Sequence, residues 1–209
     1  MTKASYTLVE LDKPTDEQLD ELATLLQTAF HSEDDRSVIA TLAGGTGKEE
    51  KFHRSVIAAG RVVVAMKDES DQIIGCAIWY KPKENEEHRV NESLEPDPHD
   101  APWPDLVKWK ESAANLLKEK ESISPNGDRV APWYLNMIAV HPEYQGLGIG
   151  RALIEDARRK SNGAEISLHA SNEQNVRFYN KLGFTLIEKT HIRGPYGDFT
   201  YHLLVIPSA

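Results

Sequence analysis

The sequence LNMIAVHPEYQGLGIGRA, residues 135–152, decides how the rest of the chain is interpreted. An apolar run is followed by a turn that contains proline, and then by Gly146, Gly148 and Gly150 directly before Arg151. This order predicts a buried strand, a turn, a glycine-rich loop and the first turn of a helix. Amide groups at the start of a helix lack carbonyl partners and lie at the positive end of the helix dipole. The stretch therefore predicts a binding site for a phosphate-bearing molecule.

The composition limits the class of protein. The chain has 209 residues, of which 40% are hydrophobic and 27% are charged, as is typical of one globular domain or of one domain with an insertion. The net charge of −9 disfavours nucleic acid, whose binding needs an excess of Lys and Arg. It suits cationic small molecules, although acidic cytosolic enzymes are also common. We expect a single domain over 1–209.

The same survey indicates a cytoplasmic protein that does not bind membranes. The N-terminus has no apolar signal region, and no run reaches the length of a membrane span. Cys76 is the only cysteine, so neither an internal disulfide nor a cysteine zinc cluster is expected, and its apolar surroundings predict a buried thiol. His191, Asp198 and His202 do not form a clustered ligand pattern, and we predict no metal site.

The order of elements predicts a mixed α/β sheet covered by helices. Helices are predicted at 16–30, 34–43, 48–59, 148–161 and 171–182, and strands at 6–11, 61–67, 72–80, 133–140, 165–170, 184–192 and 199–206. Residues 83–131 are rich in acids and prolines and predict a surface insertion with a helix over 105–120. Trp103 and Trp109 would either pack this helix onto the domain or line a substrate pocket.

Two motifs connect the chain to a known family. Residues 145–150, QGLGIG, fit the signature [Q/R]-x-x-G-x-[G/A], and residues 175–184, NVRFYNKLGF, are similar to a second signature commonly written FYxKLGF. Both belong to the GNAT superfamily of N-acetyltransferases, and two motifs in the right order are more specific than either alone. The resemblance covers roughly residues 133–206.

The resemblance implies the fold and the cofactor. The fold would be a mixed, mostly antiparallel sheet of about six or seven strands, with helices on both faces and strands splayed at the cofactor site. Acetyl-CoA would lie with its pantetheine arm along the central strand and its pyrophosphate on the glycine loop. The residues implied to bind it are Met137, Ile138, Ala139, Val140, Gln145, Gly146, Leu147, Gly148, Ile149, Gly150, Arg151, Ala152, Asn172, Asn175 and Tyr179.

Several of these residues keep a second interpretation. Tyr179 matches the family tyrosine that protonates the departing sulfur, but it would also serve as a packed aromatic residue beside Phe178. Arg151 would pair with phosphate or point to solvent. Asn172 would contact the cofactor or cap the following helix.

The general base is less defined. Some family members carry Glu or His on the central strand, where this chain has Tyr134 and Asn136, and neither is a base at neutral pH. His169, near the end of the next strand, is the leading candidate because a histidine pKa suits proton abstraction. His31 and His141 are weaker candidates, and a water chain remains open.

The expected function is direct transfer of an acetyl group from acetyl-CoA to a small-molecule primary amine. The long insertion is similar in its placement to that of small-molecule amine acetylators. One alternative is a protein or peptide N-acetyltransferase, in which the acidic segment over 83–100 would attract basic peptides. The other is a non-catalytic CoA-binding sensor. A homodimer is compatible with the family.

Overall fold

The computed structural model describes residues 5–80, 105, 122–123, 129–130 and 132–208. The helices are α1 Asp16–Ala29, α2 Glu33–Ala43, α3 Glu49–Ala59, α4 Ile149–Lys160 and α5 Glu173–Asn180. The strands are β1 Tyr6–Leu11, β2 Arg61–Lys67, β3 Ile73–Tyr80, β4 Ser122–Ile123, β5 Arg129–Val130, β6 Trp133–Val140, β7 Ile166–Ala170, β8 Thr185–Gly194 and β9 Gly197–Ile206.

Local capping explains where the first two helices begin. The Thr15 hydroxyl accepts a hydrogen bond from the Gln18 amide at 3.3 Å, and the Gln18 side-chain oxygen accepts one from the Thr15 amide at 3.0 Å. This capping box satisfies two amides that α1 leaves without carbonyl partners. Ser32 caps α2 in a related way, and α2 ends at Gly44, whose φ of 70° is the left-handed conformation that glycine favours.

The predicted mixed sheet is confirmed. Seven strands follow the order β1-β2-β3-β6-β7-β9-β8. β6 and β7 run parallel, and the other neighbouring pairs of this sheet are antiparallel. A parallel pair needs a crossover connection, and α4 supplies it between β6 and β7. The glycine loop thus joins the central strand to the crossover helix.

Helices cover both faces of the sheet, as expected. One apolar core joins the sheet to α4 and α5 through residues such as Ile149, Leu153 and Val176. A second core joins the opposite face to α1, α2 and α3 through residues such as Leu26 and Ile57. The central strand β6 contributes side chains to both cores, so its backbone is held from two sides.

The last hairpin differs from its predicted form. A six-residue loop was expected between strands at 184–192 and 199–206, but β8 and β9 continue to Gly194 and Gly197 and leave only a two-residue turn. Gly197 makes the tight turn with a φ of 131°. A β-carbon there would lie 2.5 Å from the Ser37 hydroxyl, so glycine also lets α2 pack closely on the hairpin.

The predicted insertion lies mostly outside the described residues, as do Trp103, Trp109 and nearly all of the predicted helix over 105–120. Asp105 is described, and its carboxylate accepts hydrogen bonds from the Arg193 guanidinium at 2.7 Å and from the Arg193 amide at 3.0 Å. This pair attaches that point of the insertion to the end of β8. In the part of the chain that the structure describes, no helix is both long and apolar enough to cross a membrane.

Candidate active site

The parallel strands β6 and β7 diverge where the candidate site begins. They pair through Trp133, Tyr134 and Leu135, which face Ile166, Ser167 and Leu168. Beyond Leu135, residues 136–140 of β6 have no strand partner on the β7 side within the described chain. Backbone groups along this edge are therefore available to an extended ligand with amides of its own.

A β-bulge at Asn136 marks the same point. Met137 faces Ile78 and Leu135 faces Trp79 on β3, so Asn136 is an extra residue with no opposite partner. Leu135 packs in the core beside α4, whereas Met137 packs in the core beside α1. Residues two apart on a regular strand share a face of the sheet. Leu135 and Met137 lie on opposite faces because the bulge shifts the alternation of side chains by one residue. It bends β6 at the residue where its pairing with β7 ends.

Glycine occupies the three loop positions for different structural reasons. Gly146 and Gly148 have φ angles of 77° and 85°, and a β-carbon at either position would meet nothing within 4 Å. Gly150 is helical, and its β-carbon would lie 3.2 Å from Phe178, so close packing of α4 on α5 requires it. Open space therefore lies over Gly146 and Gly148, at the N-terminus of α4.

The rest of the loop is held by its own hydrogen bonds. The Gln145 side chain donates to the Val140 carbonyl at 3.2 Å and closes the turn onto β6. The Ala152 amide donates to the Gly148 carbonyl at 3.0 Å, as in any α-helix. The expectation that Ala152 offers its amide to a phosphate is therefore wrong for this conformation. The amides of Ile149, Gly150 and Arg151 precede the first helical bond and point out of the helix end.

Tyrosine and histidine side chains gather where the strands part. The Tyr134 hydroxyl lies 3.4 Å from Nδ1 of His169, and the His169 ring packs on Tyr201 with 4.5 Å between ring centroids. Tyr179 on α5 is 6% exposed and packs between Phe178 and Phe184. Burial, and then the neighbouring Tyr134, raise the pKa of Tyr179 well above its usual value. The phenol thus keeps its proton at neutral pH.

The pKa of His169 differs from the expected one. Burial lowers it to about 3, and the nearby His202 adds to the shift. The pKa of His169 thus lies below the value expected from the sequence, and its part in a reaction stays a prediction. The imidazole is neutral at physiological pH and holds a proton weakly.

A pocket of about 60 Å³ opens beside this group, between the diverging strands and α1–α2. Its polar lining combines a carboxylate, an amide, an imidazole and a hydroxyl, from Asp35, Asn136, His169 and Ser171. Its apolar lining is Phe30, Val38, Ile39, Leu42, Met137 and Tyr201. The arrangement fits a small organic molecule that carries a polar or charged group.

Comparison with known proteins finds similarity to acetyltransferases. Residues 119–186 match the family model described as the acetyltransferase (GNAT) domain. Over this segment the chain is similar to GNAT acetyltransferases. A segment of 82 residues is 34% identical to the uncharacterized N-acetyltransferase ycf52 of Pyropia yezoensis and covers 38% of this chain and 45% of that protein.

Two further similarities are informative. The peptidyl-lysine N-acetyltransferase YjaB of Escherichia coli K12 is 29% identical over 59 residues, which are 28% of this chain and 40% of that protein. The structure of Arabidopsis thaliana NAA60 in complex with acetyl-CoA superposes with a TM-score of 0.56 at 16% identity, covering 97% of this chain and 98% of that chain. The chain spans a little under half of the length of the curated relatives it matches.

The remaining residues predicted to bind acetyl-CoA are distributed as follows. The Asn172 side-chain oxygen accepts a hydrogen bond from the Asn175 amide at 2.9 Å, so Asn172 caps α5. Arg151 is exposed and lies 3.4 Å from Glu155 on the same helix. The side chains of Met137, Ala139 and Ile149 are buried in the cores, which leaves their backbone groups for a ligand. Those of Ile138, Val140 and Leu147 are half-buried.

The other histidines and the cysteine have identifiable surroundings. His141 accepts a hydrogen bond from the Glu143 amide and His31 lies 3.0 Å from the Thr28 carbonyl, both at the surface. His202 is buried and contacts the Ala170 carbonyl and the Glu173 carboxylate. Burial raises the pKa of the Cys76 thiol to about 12, which disfavours a thiolate. Among the residues described, no group of three or more potential metal ligands clusters.

Sequence reasoning missed two features of the site. Asp35 lies on α2, far in sequence from both motifs, and only the fold brings it next to Ser171 and His169. The bulge at Asn136 was also missed, because a single polar residue in an apolar strand is an ambiguous signal. The one hint was that Asn136 interrupts the apolar run before the turn.

Proposed function

We propose that the chain is an acetyl-CoA-dependent N-acetyltransferase that acetylates a small-molecule primary amine by direct transfer. The observation that supports this most is the loss of pairing between β6 and β7 beyond Leu135, directly before the glycine loop. An unpaired strand edge followed by the N-terminus of a helix suits a ligand with amides at one end and phosphates at the other.

The described residues fit acetyl-CoA, which supplies an activated acetyl thioester. The β6 edge over 136–140 would pair with the pantetheine amides, and the amides of Ile149, Gly150 and Arg151 would bind the pyrophosphate. The space over Gly146 and Gly148 leaves room for a bulky anion close to the backbone. Arg151 would exchange its contact with Glu155 for a phosphate, and Asn175 would contact the pantetheine arm beside Asn172.

The residues around the diverging strands would carry out the chemistry. A neutral amine attacks the carbonyl carbon while backbone amides near Ala139 or Val140 stabilise negative charge on its oxygen. As the carbon–nitrogen bond forms and the carbon–sulfur bond breaks, Tyr179 donates its proton to the sulfur. His169, as a neutral imidazole beside Tyr134, would orient the amine, and the proton from the amine would leave through water. Buried Cys76 has no part in the transfer.

The test is release of free thiol from acetyl-CoA in the presence of a panel of primary amines and of lysine-containing and free-N-terminal peptides. We expect turnover with at least one small amine and little with the peptides. Turnover with peptides alone would replace the small-amine proposal. Tight binding of CoA without turnover for any acceptor would favour a sensor over an enzyme.

A peptide substrate is the second candidate. The related protein YjaB is named a peptidyl-lysine N-acetyltransferase, and Arabidopsis NAA60 shares the fold. The pocket measures about 60 Å³ between α2 and the strands, and its size limits how much of a peptide could enter. Such a pocket suits a compact molecule or a single side chain better than a stretch of backbone.

Replacing Gly148 with alanine tests the phosphate site. Its φ of 85° costs an L-residue about 1 kcal/mol, and relaxation of that strain would move the amides of α4. We expect KM for acetyl-CoA to rise about fivefold to tenfold. Gly47→Ala is the matched control, since Gly47 has a φ of 80° and equally open surroundings. Both variants should lose similar stability, and an equal rise of KM in both would contradict the assignment.

Replacing His169 with asparagine tests its role as a neutral residue. Because its pKa is about 3, His169 is unprotonated across the working pH range and should add no acidic limb near neutral pH. We expect lower kcat/KM for the amine, an unchanged KM for acetyl-CoA and a pH profile of the same shape as wild type. Loss of an inflection near pH 6.5 in the variant would restore His169 as a titrating base.

A further inference from the structure

Resting on the proposed function, we infer that the acceptor carries two amino groups, and that Asp35 binds one of them as an ammonium ion while the other is acetylated. Asp35 is the third residue of α2 and is only 8% exposed. Asp35 lines the same pocket as Asn136 and His169, which lie where β6 and β7 part. The pocket thus contains a carboxylate and also borders the proposed acetyl site.

The carboxylate is held in a fixed orientation. The Ser171 hydroxyl donates to one oxygen of Asp35 at 2.5 Å, and the Ser32 hydroxyl donates to the other at 2.5 Å. Ser171 follows β7, so Asp35 connects α2 to the strand that carries His169. Each carboxylate oxygen has two acceptor positions, so both oxygens can still bind a further donor.

The charge of Asp35 has no counter-ion in the described part of the chain. No lysine, arginine or histidine there lies within 4.0 Å of its oxygens, whereas Asp156, which is equally buried, lies 2.7 Å from Lys160 and 3.0 Å from Arg159. Burying a charged group is costly unless an opposite charge accompanies it. A ligand that brings an ammonium group into the pocket would supply that charge.

The attacking nitrogen and the bound nitrogen cannot be the same atom at the moment of transfer. A carboxylate stabilises the protonated amine, and only a neutral amine has the lone pair that attacks the carbonyl. The two serine hydroxyls hold the carboxylate oxygens of Asp35 in place for a cationic partner. The ammonium ion that Asp35 binds therefore belongs to a second amino group.

The rest of the pocket agrees with a short diamine. The same pocket is lined by the apolar side chains of Phe30, Val38 and Met137, which suit a methylene chain. Phe30 and Tyr201 offer aromatic rings to a cation. The net charge of −9 over the chain also attracts a dication more strongly than a monocation.

The experiment compares putrescine, a four-carbon diamine, with n-butylamine as acceptors at saturating acetyl-CoA. The measured quantity is the ratio of their kcat/KM values in the wild type and in Asp35→Asn. Dividing one ratio by the other cancels the different basicities of the two amines. We expect the diamine preference to fall about 10- to 100-fold in Asp35→Asn, with KM for acetyl-CoA unchanged. Asp20→Asn, at an exposed position on α1, is the control and should keep the preference.

Ser171→Ala keeps the charge of Asp35 and removes one orienting hydroxyl, and it should lower the preference to an intermediate value. An unchanged preference in Asp35→Asn overturns the inference. If that variant does not fold, as judged by its melting temperature and CoA binding, an unchanged preference in Ser171→Ala overturns it instead. Equal use of n-butylamine and putrescine by the wild type overturns it while leaving the acetyltransferase proposal intact. Absence of turnover with every amine and peptide instead overturns the proposed function itself.

Discussion

Replacing Tyr179 with phenylalanine is expected to lower kcat about 100-fold while KM for acetyl-CoA stays unchanged. The variant loses the proposed proton donor to the departing sulfur and little else. The Tyr179 ring packs edge-on against Phe178 and Phe184, with centroids 5.1 and 5.5 Å away, and a phenylalanine ring makes the same contacts. The Tyr179 carbonyl accepts hydrogen bonds from the Leu182 and Phe184 amides, so the backbone keeps its position.

The pH dependence adds a second readout. Because burial raises the pKa of Tyr179 well above its usual value, the wild-type kcat should not decline through phenol ionisation in mildly alkaline solution. Tyr6→Phe removes a half-buried hydroxyl from β1 and serves as the control, with kcat at the wild-type value. A Tyr179→Phe enzyme with wild-type kcat across the pH range would exclude Tyr179 as the acid and leave it as a packing residue.

The parts of the fold that depend on short-range signals could be predicted from the sequence. The Thr15 and Gln18 pair predicts the start of α1, and Gly44 predicts the end of α2, because capping involves residues only a few positions apart. The glycine loop and the α5 motif, on which the proposed cofactor site is based, are also patterns of neighbouring residues. The predicted length of the last hairpin's loop was wrong. Gly194 and Gly197 are required because α2 packs over the turn, and this is a long-range contact.

The chemistry of the site depended on the fold in a way that no local pattern records. His169 looks like a titratable histidine in the sequence, but its ring packs between Tyr134 and Tyr201, and this burial lowers its pKa to about 3. Asp35 looks like one of three consecutive acids at the start of α2. Its burial and its bond to Ser171, 136 residues later, come from the way α2 lies over the end of β7.

The sequence also suggests nothing unusual about His53, which stands between Phe52 and Arg54 on α3. Its ring is 1% exposed, lies 5.9 Å from the Phe52 ring and 6.3 Å from the Phe30 ring, and neither nitrogen has a hydrogen-bond partner among the described residues. Burial lowers the pKa of His53 to about 4, against an opposing effect of Glu49. A buried imidazole without partners resists the charge that protonation would bring.

The consequence is a loss of stability in acid. In the unfolded chain His53 takes up a proton near its ordinary pKa of 6.5, whereas in the folded protein it does so only near 4. The unfolded state therefore binds more protons between these values, and its free energy falls relative to the folded state as the pH decreases. The stability contributed by neutral His53 is complete above pH 6.5 and is lost as the pH falls to about 4, by on the order of 3 kcal/mol.

His53→Leu should remove this contribution to the pH dependence. The free energy of unfolding from urea titrations at about pH 7.5 and about pH 5 should differ less in the variant than in the wild type. Because His169 also has a lowered pKa, we expect the variant to keep roughly half of the wild-type slope over this range. At neutral pH the variant should be at least as stable as the wild type, since leucine leaves no unpaired nitrogen in the core.

Val56→Ala separates the loss of packing from the loss of the imidazole. Val56 is buried on the same helix, and its truncation should lower stability by about 1.5 kcal/mol at every pH, leaving the slope as in the wild type. A His53→Leu protein whose stability falls with pH as steeply as that of the wild type would mean that His53 is protonated equally in both states. The α3 core would then contain a charged imidazole, which the apolar contacts to Phe30 and Phe52 make energetically unfavourable.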